Sequence, residues 1–236
     1  MNWRNILGEF VAEAVRGDAD AQWFLGTLHA EGCGMPQNHA EAMRWFRKAA
    51  DQGHSVAQCA LGFHYASGQG TLQDYGEAAT WFRKASDQGH AQADFNLGVM
   101  SMKGYGSKRS YADAAIWFRK SAEHGYPDAQ ATLGGLYANG RGVPQSYAEA
   151  AIWFRKAANQ GHANAQFLLG QMCLNGKGIA QDHAEAAGWF FMAAERGDAE
   201  AQFKLAQMHR DGMGVPMNPV KAKYLFRKAF TMQDRD

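Results

Sequence analysis

The chain is poor in the features that most often betray a function. Its 236 residues include three cysteines (Cys33, Cys59 and Cys173) and five prolines. The cysteine count is odd, and the three occupy unrelated local contexts. That excludes a regular disulfide framework and reads as buried or half-buried thiols of a reducing compartment. Charge is nearly balanced, 24 Lys+Arg against 23 Asp+Glu for a net +1. No global field draws nucleic acid or an anionic membrane. No apolar run approaches the roughly 18 residues of a membrane span. Glu9 and Glu13 interrupt the first segment where a signal peptide needs an apolar stretch. A cytoplasmic protein is expected, with neither a membrane nor a nucleic-acid partner.

What the chain has in quantity is glycine, 27 residues, and periodicity. Trp45, Trp81, Trp117, Trp153, Trp189 and Leu225 follow one another at intervals of 36 residues. A fixed period of this size marks a solenoid. In such an array most residues hold repeats to one another, so binding falls to the positions that vary.

Residues 19–54 show the unit. Ala21, Leu25 and Leu28 recur at helical spacing in Ala19–Glu31 (helix A), with Asp18 placed to cap it. Gly32-Cys33-Gly34-Met35-Pro36 stops that helix. Ala42, Trp45, Phe46, Ala49 and Ala50 then share a face of His39–Gln52 (helix B), and Gly53 suits the left-handed position after it. A lone hairpin cannot bury its apolar face, so neighbours must stack. The repeats run 19–54, 55–90, 91–126, 127–162, 163–198 and 199–234. Residues 3–16 fit the helix B frame, with Phe10, Ala14 and Gly17 in the places of Phe46, Ala50 and Gly53. The expectation is one elongated domain, 19–236, behind an N-terminal capping helix within 1–18. Tyr224, Leu225, Phe226 and Phe230 close the far end, before a polar tail, 233–236.

Gly26, Gly62, Gly98, Gly134 and Gly170 fall in mid-helix A. Each costs about 0.8–1 kcal/mol against alanine, so five cost about 4–5 kcal/mol. Close helix contact would offset this, with the helix B tryptophan over the bare backbone. The last repeat, with Ala206 and the smaller Leu225, fits that account.

Ala129-Gln130-Ala131-Thr132-Leu133-Gly134, then Tyr137-Ala138-Asn139-Gly140-Arg141-Gly142-Val143-Pro144-Gln145, then Tyr147 to Ala158 closely resemble the Sel1-like repeat, a subclass of the tetratricopeptide-like repeats. The resemblance covers essentially the whole chain in six copies. It implies an all-α fold, a right-handed α-solenoid of antiparallel helix pairs, and adaptor or scaffold roles in protein complexes. A cysteine-rich Helicobacter branch of the family has a disulfide in each repeat and a link to penicillin binding. This chain lacks the paired cysteines.

Four helix A positions vary: those of Asp20, Phe24, Thr27 and Glu31 in the first repeat. Their spacing of i, i+4, i+7 and i+11 makes one stripe. In the fold that the resemblance implies, the stripe lines the concave groove, where an extended peptide or a partner helix would bind. The candidate partner-binding residues are Phe24, Thr27, Phe63, Asn96, Val99, Lys103, Thr132, Asn139, Leu168, Gln171, Lys204 and Gln207. Phe24, Phe63, Val99 and Leu168 are apolar on a face that solvent alone would not fill with such residues. The alternative is a solvated face whose residues drift.

On helix B an Arg-Lys pair recurs at Arg47, Arg83, Arg119, Arg155 and Arg227. Asp51, Asp87 and Glu123 stand four residues after three of these arginines, as ordinary surface pairs. Phe191-Met192 breaks the ridge and offers a secondary patch for a partner or for weak self-association. The Gly-x-Gly elements are turn glycines, since they recur and follow no strand. His54, His90 and His162 share the slot before helix A. No metal motif, cofactor motif or nucleophile context appears. The expected protein is a non-enzymatic adaptor with a protein or peptide partner. An immunity-type inhibitor that covers one enzyme is the first alternative, and a β-lactam-type small-ligand binder or enzyme the second.

Overall fold

The computed structural model describes residues 3–233 of the backbone and 7–230 of the side chains, so the expected polar tail falls, beyond Gln233, outside the described residues. Thirteen helices and no strand occur among those residues: α1 Trp3–Arg16, α2 Ala19–Glu31, α3 His39–Asp51, α4 Ser55–Ser67, α5 Tyr75–Ser86, α6 Ala91–Lys103, α7 Tyr111–Glu123, α8 Pro127–Asn139, α9 Tyr147–Asn159, α10 Ala163–Asn175, α11 His183–Glu195, α12 Ala199–Asp211 and α13 Pro219–Gln233. This is an all-α solenoid of helix-pair repeats. None of the helices is long and apolar enough to cross a membrane.

The helix ends follow the sequence signals. The Asp18 carboxylate accepts from the Ala21 amide at 2.8 Å, and Asn38 does the same for Glu41 at 3.1 Å. Each satisfies a donor that the first helical turn leaves open. Gly32, at φ 75°, ends α2 in the left-handed region. The second turn glycine has a stricter reason. A Cβ on Gly70 (φ +77°) would fall 2.5 Å from the His39 carbonyl of the preceding repeat. Only glycine allows both that conformation and that approach.

The helices gather into two compact units, 1–124 and 125–236. In the first, α1 serves the opening hairpin as a helix B, as its register predicts. Ala14 is buried with Ala21, Leu25 and Leu28, and Phe10 and Trp45 pack alongside. The mid-helix glycines receive an aromatic ring, but not the expected one. Phe46, Phe82 and Phe118 lie over Gly26, Gly62 and Gly98, where an added Cβ would stand 2.5, 2.6 and 2.7 Å from ring carbons. The tryptophans work between repeats instead. Trp81 is buried with Ala42, Phe46, Ala49 and Ala50 of α3, and Trp117 packs against the cluster around Phe82 and Leu97. One side chain closes each hairpin, and its neighbour in sequence joins it to the preceding one.

A glutamine ladder adds the polar half of this core. Gln58 donates to the Ala50 carbonyl of the preceding repeat at 3.1 Å and accepts from Gln88 at 2.8 Å. Gln22 likewise donates to Ala14 and accepts from Gln52. A buried amide is tolerated because both its ends are bonded. The third repeat replaces this with charge. Asp94, fully buried, accepts from Ser86 Oγ at 2.5 Å and lies 3.2 Å from Lys120 Nζ and 3.3 Å from His124 Nδ1.

In the second unit Phe154 and Phe190 cover Gly134 and Gly170 in the same way. Ala206 replaces glycine in the last repeat while Phe226 is retained, half-buried and edge-on to Phe203. The last repeat therefore does not support a tryptophan–glycine pairing. Gln160 donates to Gln130 at 2.8 Å, continuing the ladder. Gln166 and Gln202 donate to Ala158 and Ala194 at 3.1 Å, but their buried Oε1 atoms have no partner. Arg196 stands where Gln166 would find its donor.

Candidate functional site

The variable stripe of helix A is accessible. Phe63, Lys103 and Asn139 are exposed, and the other nine candidates are half-buried. Phe63 is the most telling, a phenylalanine 52% exposed in mid-helix. It stands between two shallow clefts of the first unit. One is lined by Val56, Cys59, Ala60, Gln92 and Asn96. The other brings Phe63 together with Asn96, Val99, Tyr75 and Tyr105. In the second unit an open cleft unites Asn139, Leu168 and Gln171 with Gly135, Tyr147, Asn175 and Lys177. Lys204 lines a further cleft beside Phe203 and Phe230.

Phe24, Thr27, Lys103, Thr132 and Gln207 do not line these clefts. Phe24 packs on Phe10 with ring centroids 4.7 Å apart, and Thr27 donates to the Trp23 carbonyl. Asn139 spends an amide hydrogen on the Gly135 carbonyl at 2.8 Å, and Asn175 spends one on Gln171 at 2.9 Å. The first stripe position is partly structural. Asp20 pairs with His54 Nε2 at 3.0 Å, and Asp128 with His162 Nε2 at 3.3 Å.

Sequence reasoning missed the residue between the two turn glycines. That slot holds Cys33, Gln69, Tyr105, Arg141, Lys177 and Met213, a variation visible in the sequence. The turn reads as structural, which hides it. In the fold Tyr105 stacks on Tyr75 at 4.7 Å, and Lys177 lies over the Tyr147 ring at 3.9 Å. Each continues a cleft wall beyond the helix.

The remaining candidates resolve into structural roles. His54, His90 and His162 cap helices: each Nδ1 accepts from the amide three residues on, at 3.0, 3.3 and 3.1 Å. That bond needs the neutral ring, and burial holds His90 below the usual histidine range. The three thiols are free. Burial pushes Cys59 up to about 12 and Cys173 up to about 11, which leaves almost no thiolate near neutrality. Cys33, in the turn after α2, is exposed, where a buried or half-buried thiol was expected. Among the described residues no three His, Cys, Asp or Glu side chains gather as a metal site.

Several side chains of the basic ridge rest on rings. Arg47 donates to the Tyr65 hydroxyl at 2.6 Å and lies 4.6 Å from the Trp81 ring, not on Asp51. Lys48, Lys84 and Lys156 sit 3.8–4.1 Å over the tryptophans three residues before them. Phe191 and Met192 are exposed at 47% and 40%. Lys221 lies over the Phe191 ring at 5.8 Å. One repeat earlier, Arg155 and Glu185 hold these two positions as an ion pair at 2.6 Å. There the Trp189 indole and Arg155 hold the Glu185 carboxyl below its usual range.

The Sel1 repeat model matches six segments, 19–54, 55–90, 91–126, 127–162, 163–198 and 199–234. Among solved structures, a protective antigen of uropathogenic Escherichia coli with an SLR fold is 37% identical, with a TM-score of 0.89. That match covers 95% of this chain and 48% of the antigen, so the chain spans about half the length of that relative. A Sel1 repeat protein from Oxalobacter formigenes is 32% identical, with a TM-score of 0.74, over 90% of this chain and 85% of that one. An immunity protein from Pseudomonas aeruginosa, 20% identical with a TM-score of 0.53 over 92% of this chain and 83% of its own, shares the fold. No curated protein matches the chain.

Proposed function

This chain belongs to the Sel1 repeat family, whose members mediate protein–protein interaction, and we propose that it is a non-enzymatic adaptor that binds a protein or peptide along the helix A stripe. Phe63 carries the reading. An aromatic side chain half in water, standing between two clefts, gains most by burial against a partner. Asn96 beside it and Tyr105 beyond it supply polar atoms at the rim, as an interface needs for orientation. The second unit repeats the arrangement with Leu168 as the apolar member, Gln171 and Asn139 as the amides, and Lys177 at the edge.

The clefts are shallow and open, which suits a chain segment laid across them rather than a small molecule enclosed in them. The buried thiols and capping histidines are occupied in holding the fold, which favours binding over catalysis. An immunity-type role would use the same stripe. The shared fold of the Pseudomonas immunity protein makes it an alternative without adding a site.

The test is a pull-down from the native host's lysate with mass spectrometry. Wild type is compared with a variant carrying Phe63→Glu, Asn96→Arg and Leu168→Glu, shown by circular dichroism to be folded. Loss of one protein from the variant's eluate, together with its cross-linking to a photoreactive residue at position 63 or 168, is expected. Equal recovery by both proteins overturns the assignment of the stripe.

A further inference from the structure

We infer that the end of the second unit, at Phe203 and Phe230, is a self-association surface that takes a second copy of this chain in a two-fold contact. Phe203 and Phe230 are 37% and 59% exposed and line one largely apolar cleft together with Ala199 and Ala229. One repeat earlier the same positions hold Phe167, Ala193 and Ala194, which are 7%, 0% and 2% exposed. There α12 covers them, and Gln202 reaches the Ala194 carbonyl at 3.1 Å. The cleft is thus the repeat-stacking surface continued to the last hairpin.

The last repeat alters the shape of that surface. The slot of Phe230 holds alanine at 14, 50, 122, 158 and 194, and serine at 86. A small side chain there lets the following helix A approach closely, and phenylalanine occupies that space. The surface has kept its apolar character and lost the shape of a repeat joint.

Its charges point to the occupant. Glu200 and Lys204 flank Phe203 on α12 and line the same cleft. Neither makes an ion pair among the described residues, although Glu followed by Lys at i+4 is a favourable order within one helix. A patch with one acid and one base beside an aromatic pair is its own complement. A two-fold axis through the cleft sets Glu200 of each copy against Lys204 of the other and interleaves the four phenylalanines. Lys204 thereby leaves the partner-binding stripe for this contact. The inference stands apart from the adaptor reading, which rests on Phe63 and Leu168.

Sedimentation equilibrium across a dilution series tests it. Wild type should dimerise reversibly, and Phe230→Glu should weaken the dimer by about tenfold or more. Glu200→Lys and Lys204→Glu should each weaken it alone, since like charges then meet across the axis. An equimolar mixture of these two variants should form a heterodimer. Phe63→Glu, which disables the proposed stripe, should dimerise as wild type does. A wild type that is monomeric throughout overturns the inference, as does a dimer that survives Phe230→Glu, or single variants that do not recover on mixing. In those outcomes another partner covers the cleft, or none does. Circular dichroism of each exposed-site variant separates lost association from lost folding.

Discussion

The ring of Phe154 lies over Gly134 so closely that a Cβ there would stand 2.8 Å from ring carbons. An alanine gains about 1 kcal/mol of helix propensity at such a position. The overlap costs more, because Phe154 is buried and has no room to withdraw. Gly134→Leu should cost about 3 kcal/mol or more, and Gly134→Ala should show a smaller net loss. Pairing Gly134→Ala with Phe154→Leu should recover part of that loss. Thermal melts of the three variants provide the check. An unchanged melting temperature for Gly134→Leu would refute close packing as the reason for glycine.

The broken glutamine ladder can be mended. Gln166 keeps a buried Oε1 without a donor, while Gln130 receives one from Gln160. Arg196→Gln restores the residue found in the unbroken repeats. It should stabilise the protein by about 1 kcal/mol, the net worth of a hydrogen bond. The denaturant midpoint should rise with no change in slope. A midpoint that stays put or falls means that the Arg196 side chain already contributes as much.

Acid should loosen the first unit through His64. Its slot holds Leu28, Met100, Leu136, Met172 and Met208 in the other repeats. Burial holds the ring below the usual histidine range, against the raising effect of its bond to the Gln69 carbonyl, and nearby His39 lowers it further. The unfolded chain therefore binds the proton more readily than the folded one. The neutral ring's contribution is present in full above about pH 6.5. It is lost as pH falls below that value through the folded state's lower one. His90, lowered in the same sense, adds to the slope. His64→Leu should flatten the stability profile between neutral and mildly acid pH, leaving the His90 part. A profile as steep as wild type's would place the acid sensitivity elsewhere.

Phe191 and Lys221 occupy the two positions that Arg155 and Glu185 hold one repeat before. Phe191→Arg alone sets two cations together and should lower stability by a few tenths of a kcal/mol. Adding Lys221→Glu should restore it, and the interaction energy of the double-mutant cycle gives the answer. A cycle that closes to zero shows that the two positions act independently. If Phe191 and Met192 also touch a partner, Phe191→Arg with Met192→Lys should weaken its recovery while leaving the fold intact.

The helix boundaries were legible because caps, glycines and a period of 36 residues are local signals. Asp18, Asn38 and Gly32 act in the structure as their types predict, and the register of Phe10 and Ala14 sufficed to read α1 as a helix B. The clefts around Phe63 and Leu168 draw on the varying positions of helix A, whereas Phe24 at one of the same positions packs on Phe10. Trp45 and Phe46 were not separable in this way. Both are large, aromatic and periodic, and only the facing helix decides which ring meets the glycine. The Tyr105–Tyr75 and Lys177–Tyr147 walls join residues about thirty apart, so neither tyrosine reads as part of a site by itself.

The sequence alone therefore determined the repeat, its helices and its caps. These depend on backbone propensity and on apolar spacing within one hairpin. Tertiary structure decided what spacing does not encode: phenylalanine inside the hairpin and tryptophan between hairpins, a buried Asp94 with Lys120 in place of a glutamine pair, and clefts gathered around Phe63 and Leu168. Each depends on which side chain of a neighbouring repeat occupies a shared volume. A periodic pattern fixes the neighbour but not the winner of that contact.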